Sequence, residues 1–181
     1  MLKSLNYCYK NKKAVSLFCN RNDTEQHLTG FIGKVNDSEV LIYHITNCGY
    51  YDGYILKRID DIFRIDYEGE YEKKIQMLYE YRNQAHREID TFDDDNDQIF
   101  FSLLDFAIEN DYIVSLEFEN NYVSGIVNGY SDDVLYLSIV DDMGKEDGIS
   151  IINIDDVLTV DVDSDEEQIL KILRTHTKDN N

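Results

Sequence analysis

Apolar and polar residues along this chain alternate in short runs, and the same succession of runs occurs twice. Period-two alternation predicts strands over residues 14–19, 27–35, 40–46, 54–59 and 62–67, and again over 113–119, 122–128, 134–140, 149–154 and 157–162. It is clearest in the third strand of the second set, where Leu135, Leu137 and Ile139 are expected to share one face. Helical spacing precedes each set. Ile99, Phe100, Leu103, Leu104, Ala107 and Ile108 follow Asp97, a good N-cap residue, and predict an amphipathic helix over 98–109. Leu5, Cys8 and Tyr9 give a fainter version at the start of the chain. Each set also closes in a helical stripe. Tyr71, Ile75, Leu78, Tyr79, Arg82 and Ile89 carry the first toward residue 90, and Ser164-x-x-Glu167 forms a capping box ahead of Ile169, Leu170, Ile172 and Leu173.

The two sets are copies of one unit. Residues 52–78 lie over 147–173 without a gap at an offset of 95, and eight of the 27 positions are identical, where unrelated segments of ordinary composition share about two. Residues 2–17 lie over 101–116 at an offset of 99, ending in Val15-Ser16-Leu17 and Val114-Ser115-Leu116. Gly30 pairs with Gly125, and Val40-Leu41 with Val134-Leu135. The expected organisation is a tandem duplication with domains at 1–90 and 91–181, each large enough to bury a modest core.

Composition narrows the class. The hydrophobic fraction is 43% and proline is absent, so proline-stiffened linkers are excluded and exposed strand edges must rely on charge for protection. Cys8, Cys19 and Cys48 are odd in number and unpaired in pattern, which suggests reduced thiols in the cytoplasm. Residues 1–13 carry no apolar signal core, and no stretch approaches the roughly 18 apolar residues that span a bilayer. A soluble cytoplasmic protein without a membrane role is expected.

Charge separates the copies. Residues 1–90 are nearly neutral, with 13 Lys+Arg against 14 Asp+Glu, whereas residues 91–181 hold 4 against 23, a net of −19. Such one-sign charge repels nucleic acid and steers toward cationic partners.

Several constellations invite a chemical reading. Asp60-Asp61, repeated as Asp155-Asp156, suggests a carboxylate pair, but adjacent side chains diverge. Ile59 with Ile62, and Ile154 with Val157, fit a one-turn 3₁₀ connection that buries the aliphatics and exposes the acids. Cys19, His27, His44 and Cys48 offer thiolate and imidazole for zinc, yet their spacing matches no compact finger and none recurs in the second copy. Residues 93–97 alternate acids as a calcium loop does, without the glycine and distal glutamate of an EF-hand. Residues 141–148 gather four carboxylates around Gly144 and Gly148. These acidic runs are read as solvated surface. With no phosphate loop, nucleophile elbow or paired-cysteine motif, no enzyme, cofactor or metal is assigned.

A helix, five short strands, a glycine in the second strand and a tight turn before the last resemble the Sm-like fold of Sm and Hfq-type proteins. The resemblance rests on Val114-x-Leu116, Gly125, Asp133-x-Leu135-x-Leu137 and Ile151-x-x-Ile154-x-x-Val157. It implies an α+β, mainly β protein of two tandem five-stranded small barrels, each with an N-terminal and a C-terminal helix. It also implies RNA binding, but the second copy has Asp141, Asp142, Glu146, Asp147, Asp155 and Asp156 where basic character would help, and direct nucleic-acid binding there is not expected. The first copy sets Tyr50, Tyr51 and Tyr54 beside Lys57, Arg58 and Arg64, a pattern that suits single-stranded RNA or a tyrosine-rich protein interface.

The expected function is therefore protein binding. Asp132, Asp133, Asp141, Asp142, Glu146, Asp147, Asp155 and Asp156 would occupy the basic groove of a nucleic-acid-handling enzyme, in the manner of nucleic-acid-mimic inhibitors of CRISPR effectors or restriction enzymes. Tyr50, Tyr51 and Tyr54 would anchor the first copy. The alternatives are an adaptor without mimicry and RNA binding through the first copy. A monomer or dimer is expected, because a ring of such acidic units would repel itself.

Overall fold

The computed structural model describes residues 1–89, 98–131 and 133–179. The chain divides into two compact units, Met1–Phe100 and Phe101–Asn181. The first holds α1 (Leu2–Lys10), β1 (Ala14–Phe18), β2 (Leu28–Val35), β3 (Glu39–Ile45), β4 (Tyr51–Arg58), a 3₁₀ turn (Ile59–Asp61), β5 (Arg64–Tyr67) and α2 (Glu70–Tyr81). The same order returns as α3 (Ile99–Glu109), β6 (Val114–Glu117), β7 (Tyr122–Tyr130), β8 (Val134–Val140), β9 (Glu146–Asn153), a 3₁₀ turn (Ile154–Asp156), β10 (Thr159–Val162) and α4 (Asp165–Asp179). Asp97 and the acidic run 93–97 lie outside the described residues.

In each unit the strands are antiparallel and make an open sheet, which corrects the expectation of two closed Sm-like barrels. The first unit contributes the order β5-β1-β2-β3-β4 and the second β10-β6-β7-β8-β9, and among the described residues no ladder joins β4 to β5 or β9 to β10. Alternation along β1 shows what replaces closure. Val15 and Leu17 point to a core with Leu5 and Cys8 of α1 and with Ile32, Val40, Ile42, Ile55, Ile59 and Ile62. Ser16, one residue out of phase, points to the opposite face, where α2 lies. There Ile45, Ile75 and Tyr79 form a second cluster with Phe31 and Tyr71. A sheet covered by helices on both sides can bury its apolar residues without curling on itself, and all five residues of β1 are buried.

One polar contact repeats in both units. Ser16 Oγ donates to Glu72 Oε1 at 2.6 Å, and Ser115 Oγ donates to Glu167 Oε1 at 2.5 Å. Both carboxylates are buried. Glu167 also accepts the backbone N–H of Ser164 at 2.9 Å through Oε2, the half of the capping box in which the acid reaches back to the cap residue. Tyr130 supplies a further tie in the second unit: its hydroxyl donates to Asp105 of α3 at 2.7 Å. Burial, followed by that carboxylate, pushes the hydroxyl pKa up to about 12.

The repeat extends to irregularities. The β2–β3 register shifts between Ile32 and Lys34, and the β7–β8 register between Val127 and Gly129. The β3–β4 register shifts between Tyr43 and Ile45, and the β8–β9 register between Ser138 and Val140. All four irregularities keep the offset of 95. The second pair explains why Leu135 and Leu137 are buried while the next buried residue is Val140 and not Ile139. Gly49 and Gly144 also correspond, at φ +79° and +75°, and each backs onto the closing helix so tightly that a Cβ would meet Leu78 or the backbone of Arg174 at 2.4 Å.

Ser16→Ala or Ser115→Ala leaves a buried carboxylate oxygen without its donor. Each substitution is expected to lower stability by about 1–3 kcal/mol, read from the midpoint of urea unfolding.

Candidate partner-binding surface

The acidic candidates fall into two groups at opposite ends of the β8–β9 hairpin. At one end, Ile154 N–H donates to the Asp133 carbonyl at 3.0 Å, and Asn153, opposite Val134 in the ladder, accepts the N–H of Asp155 at 3.2 Å. Asp133, Asp155 and Asp156 are thereby gathered, and all three are exposed. Asp132 lies outside the described residues. The 3₁₀ turn that carries Asp155 and Asp156 buries Val157, as its counterpart buries Ile59 and Ile62. Both doublets lie in these 3₁₀ turns.

At the other end, Asp141 is committed to structure. Its Oδ1 accepts from Met143 N–H at 2.9 Å and Lys145 N–H at 2.8 Å, which closes the turn. Glu146 is held by Arg174 at 3.0 Å, whereas Asp142 and Asp147 are exposed. Seven residues of β8 separate the two groups, or about 26 Å from Asp133 to Asp141 at the usual strand rise.

Between them the hairpin is apolar. Tyr136 faces Ile151, and Ser138 faces Ile149, across the ladder. Directly opposed residues share a face. Tyr136 is 41% exposed, and Ile149 and Ile151 are each 68% exposed. Sequence alternation alone did not reveal this patch, because Ile149-Ser150-Ile151-Ile152 reads as an ordinary buried strand. A shallow groove of about 510 Å³ opens elsewhere in this unit between α4 and β7–β8, lined by Tyr122, Ile139, Asp142, Glu166, Ile169 and Leu170.

The tyrosine candidates do not form one surface. Tyr50 is exposed at 47%, with the Arg82 guanidinium 4.2 Å above its ring and Arg82 Nη1 donating to its hydroxyl at 2.6 Å. Tyr51 is half-buried against His86 at 4.5 Å between ring centroids. Tyr54 is 1% exposed and donates its hydroxyl to the Arg87 carbonyl at 2.9 Å. It belongs to the core.

His86 is a half-buried residue that the sequence pattern did not single out. The stripe running to Ile89 suggested a helix, but α2 ends at Tyr81, Asn83 takes φ +51°, and the chain turns back across β3–β4. The His86 ring stacks on Tyr43 at 5.1 Å and packs among Tyr51, Tyr54 and Tyr79. Its two nitrogens are matched as a neutral imidazole requires: Nε2–H donates to the Gly53 carbonyl at 2.9 Å and Nδ1 accepts from the Tyr79 hydroxyl at 2.8 Å. Burial is the first cause that lowers its pKa to about 4.

The zinc candidates are dispersed. His27 packs between Phe18 and Tyr71, His44 Nδ1 lies 3.0 Å from Asp52, Cys19 is half-buried against the first core, and Cys48 is exposed; Cys8, the third cysteine, is buried in that core. Burial pushes the Cys8 thiol pKa up, which suits a packing residue better than a thiolate. Among the described residues no three metal-capable side chains converge, and no helix is long and apolar enough to cross a membrane.

Unfolded, His86 takes its proton near pH 6.5; folded, near pH 4. The unfolded chain therefore binds more protons across that window. The ring's contribution to stability is complete above about pH 6.5 and is lost as pH falls to about 4, a change on the order of 2–3 kcal/mol. In urea unfolding, the stability advantage of the parent over His86→Gln is expected to shrink steadily between these two pH values.

In comparisons with known proteins, no family model, no curated protein and no solved structure matches this chain. The resemblance to Sm-like proteins thus has neither a closed barrel nor a family match behind it.

Proposed function

We propose that the protein is a non-enzymatic binding regulator whose acidic second unit engages the cationic surface of a nucleic-acid-handling protein, within the reducing cytoplasm. The observation that carries this reading is the hairpin arrangement of carboxylates: two exposed acidic groups separated by about 26 Å along one strand pair, in a half of the chain with only 4 Lys+Arg against 23 Asp+Glu. Nucleic acid presents anionic charge to a protein groove in spaced rows, and fixed carboxylates on a rigid sheet reproduce that feature without needing counterions displaced from a polymer. RNA binding through the first unit loses its footing with the Sm-like resemblance. Tyr54 is buried, and Arg64 is paired with Asp66 and lies 4.4 Å from the Phe18 ring centroid.

The test is direct. The full chain is cross-linked to its partner in native-host extract, the partner is identified by mass spectrometry, and affinity is measured with purified components. Affinity is expected to fall by at least about tenfold from about 50 mM to about 300 mM salt, and duplex DNA or single-stranded RNA is expected to compete. Replacing Asp133, Asp142, Asp147, Asp155 and Asp156 with Asn should weaken binding to a similar degree. Affinity indifferent to salt, to nucleic acid and to these substitutions would reject the proposal.

A further inference from the structure

The register shifts on either side of β3 and β8 keep the offset of 95, which moves the sequence pairing of Leu41 with Leu135 by one residue, so Tyr136, Ile149 and Ile151 correspond to Leu41, Tyr54 and Leu56. The first-unit residues are 0%, 1% and 4% exposed, against 41%, 68% and 68% for their counterparts. The first unit covers part of this face with its own chain. After α2 the Gln84 side chain accepts from Tyr51 N–H at 3.1 Å, His86 stacks on Tyr43, and the Arg87 carbonyl accepts from Tyr54. In the second unit α4 stays helical through Asp179, past His176, the counterpart of Tyr81. Tyr136, Ile149 and Ile151 remain open to solvent. Among the described residues no strand pairs with the outer edge of β9, which leaves that edge for a further strand.

We propose that the β8–β9 face is the docking site for an extended segment of the partner protein, with an apolar centre and lysine or arginine at both ends, laid along β9. This rests on the acidic-surface reading above and adds which strand is used and what kind of segment it accepts. The apolar centre would rest on Tyr136, Ile149 and Ile151, as residues 84–87 rest on the equivalent face of the first unit. The basic ends would meet Asp142 and Asp147 at one end, and Asp133, Asp155 and Asp156 at the other. A separation of about 26 Å corresponds to about seven extended residues between the basic ends. A second copy of this chain is a poor occupant. It carries a net charge of −20, and β5, an end strand of the first unit, has its one cation, Arg64, already on Asp66.

The probe is a fluorescein-labelled peptide with paired basic residues flanking a core of about seven alternating valine and threonine residues, titrated into the full chain at low salt. Two changes are each expected to weaken binding by about tenfold or more: the double substitution Ile149→Ser/Ile151→Ser, and a peptide whose basic residues are brought together at one end. Both isoleucines are solvent-exposed, so the urea midpoint of the variant should match that of the parent and report an intact fold. Hydrogen exchange should also slow at the β9 amides on binding. Equal affinity of parent and variant overturns the strand site, and if that affinity remains salt-sensitive the acidic-surface proposal survives it. Absence of binding by either peptide, while the cross-linked partner still binds in a salt-sensitive way, overturns the segment assignment alone. A self-associated species in sedimentation that Ile149→Ser/Ile151→Ser abolishes would replace the foreign partner with a second copy.

Discussion

A carboxylate buried under a helix is the constraint around which each unit is arranged. Glu72 and Glu167 sit in the first turn of their helices and reach down to a serine on the first strand of their own unit. Burial of such a group is tolerable only where donors meet it, so the contact fixes both the start of the closing helix and the side of the sheet on which that helix lies. The strand's alternation then assigns the opposite side to the opening helix. In the second unit the contact is extended, because Ser124 lies 2.8 Å from Ser115. The outcome is a helix-covered sheet and not a barrel: with both faces occupied, curling the strands onto themselves would expose what the helices now bury.

On this shared scaffold the units have diverged in what they leave uncovered. The first turns its chain back over the third and fourth strands and fills that face with an aromatic cage around a neutral histidine. The second extends its closing helix instead, keeps its tyrosine and isoleucines outside, and brackets them with acids. Charge and exposed apolar surface therefore coincide on one hairpin, which is why both proposals converge there.

Much of this organisation was legible before any coordinates. The repeat, the strand positions, the capping box and the two 3₁₀ turns follow from spacing and residue type, because each is decided by neighbours in sequence. What could not be read is decided by partners distant in sequence. Open and closed sheets carry the same alternation, since closure depends on a ladder between first and last strands that no local pattern records. The end of α2 was obscured because Arg82 and Ile89 continue a helical stripe by coincidence, while the buried position of Ile89 comes from a returning extended segment. The tyrosines at 50, 51 and 54 looked alike in sequence. Only tertiary packing separates the exposed one from the buried one.

The matched bulges limit where these units can change length. The β1–β2 connection has nine residues in the first unit, between Phe18 and Leu28, whereas β6 and β7 are separated by only four, between Glu117 and Tyr122. Tyr122 corresponds to His27 at the offset of 95, so the aligned loops hold eight and four residues, and that hairpin has absorbed the four-residue change in offset. Removing one residue from a bulge would instead rotate the side chains beyond it to the other side of the sheet, turning aliphatic residues outward and acids inward. Evolution of this molecule by insertion or deletion is thus channelled into one hairpin tip per copy, and the rest of each unit can diverge only by exchanging one side chain for another.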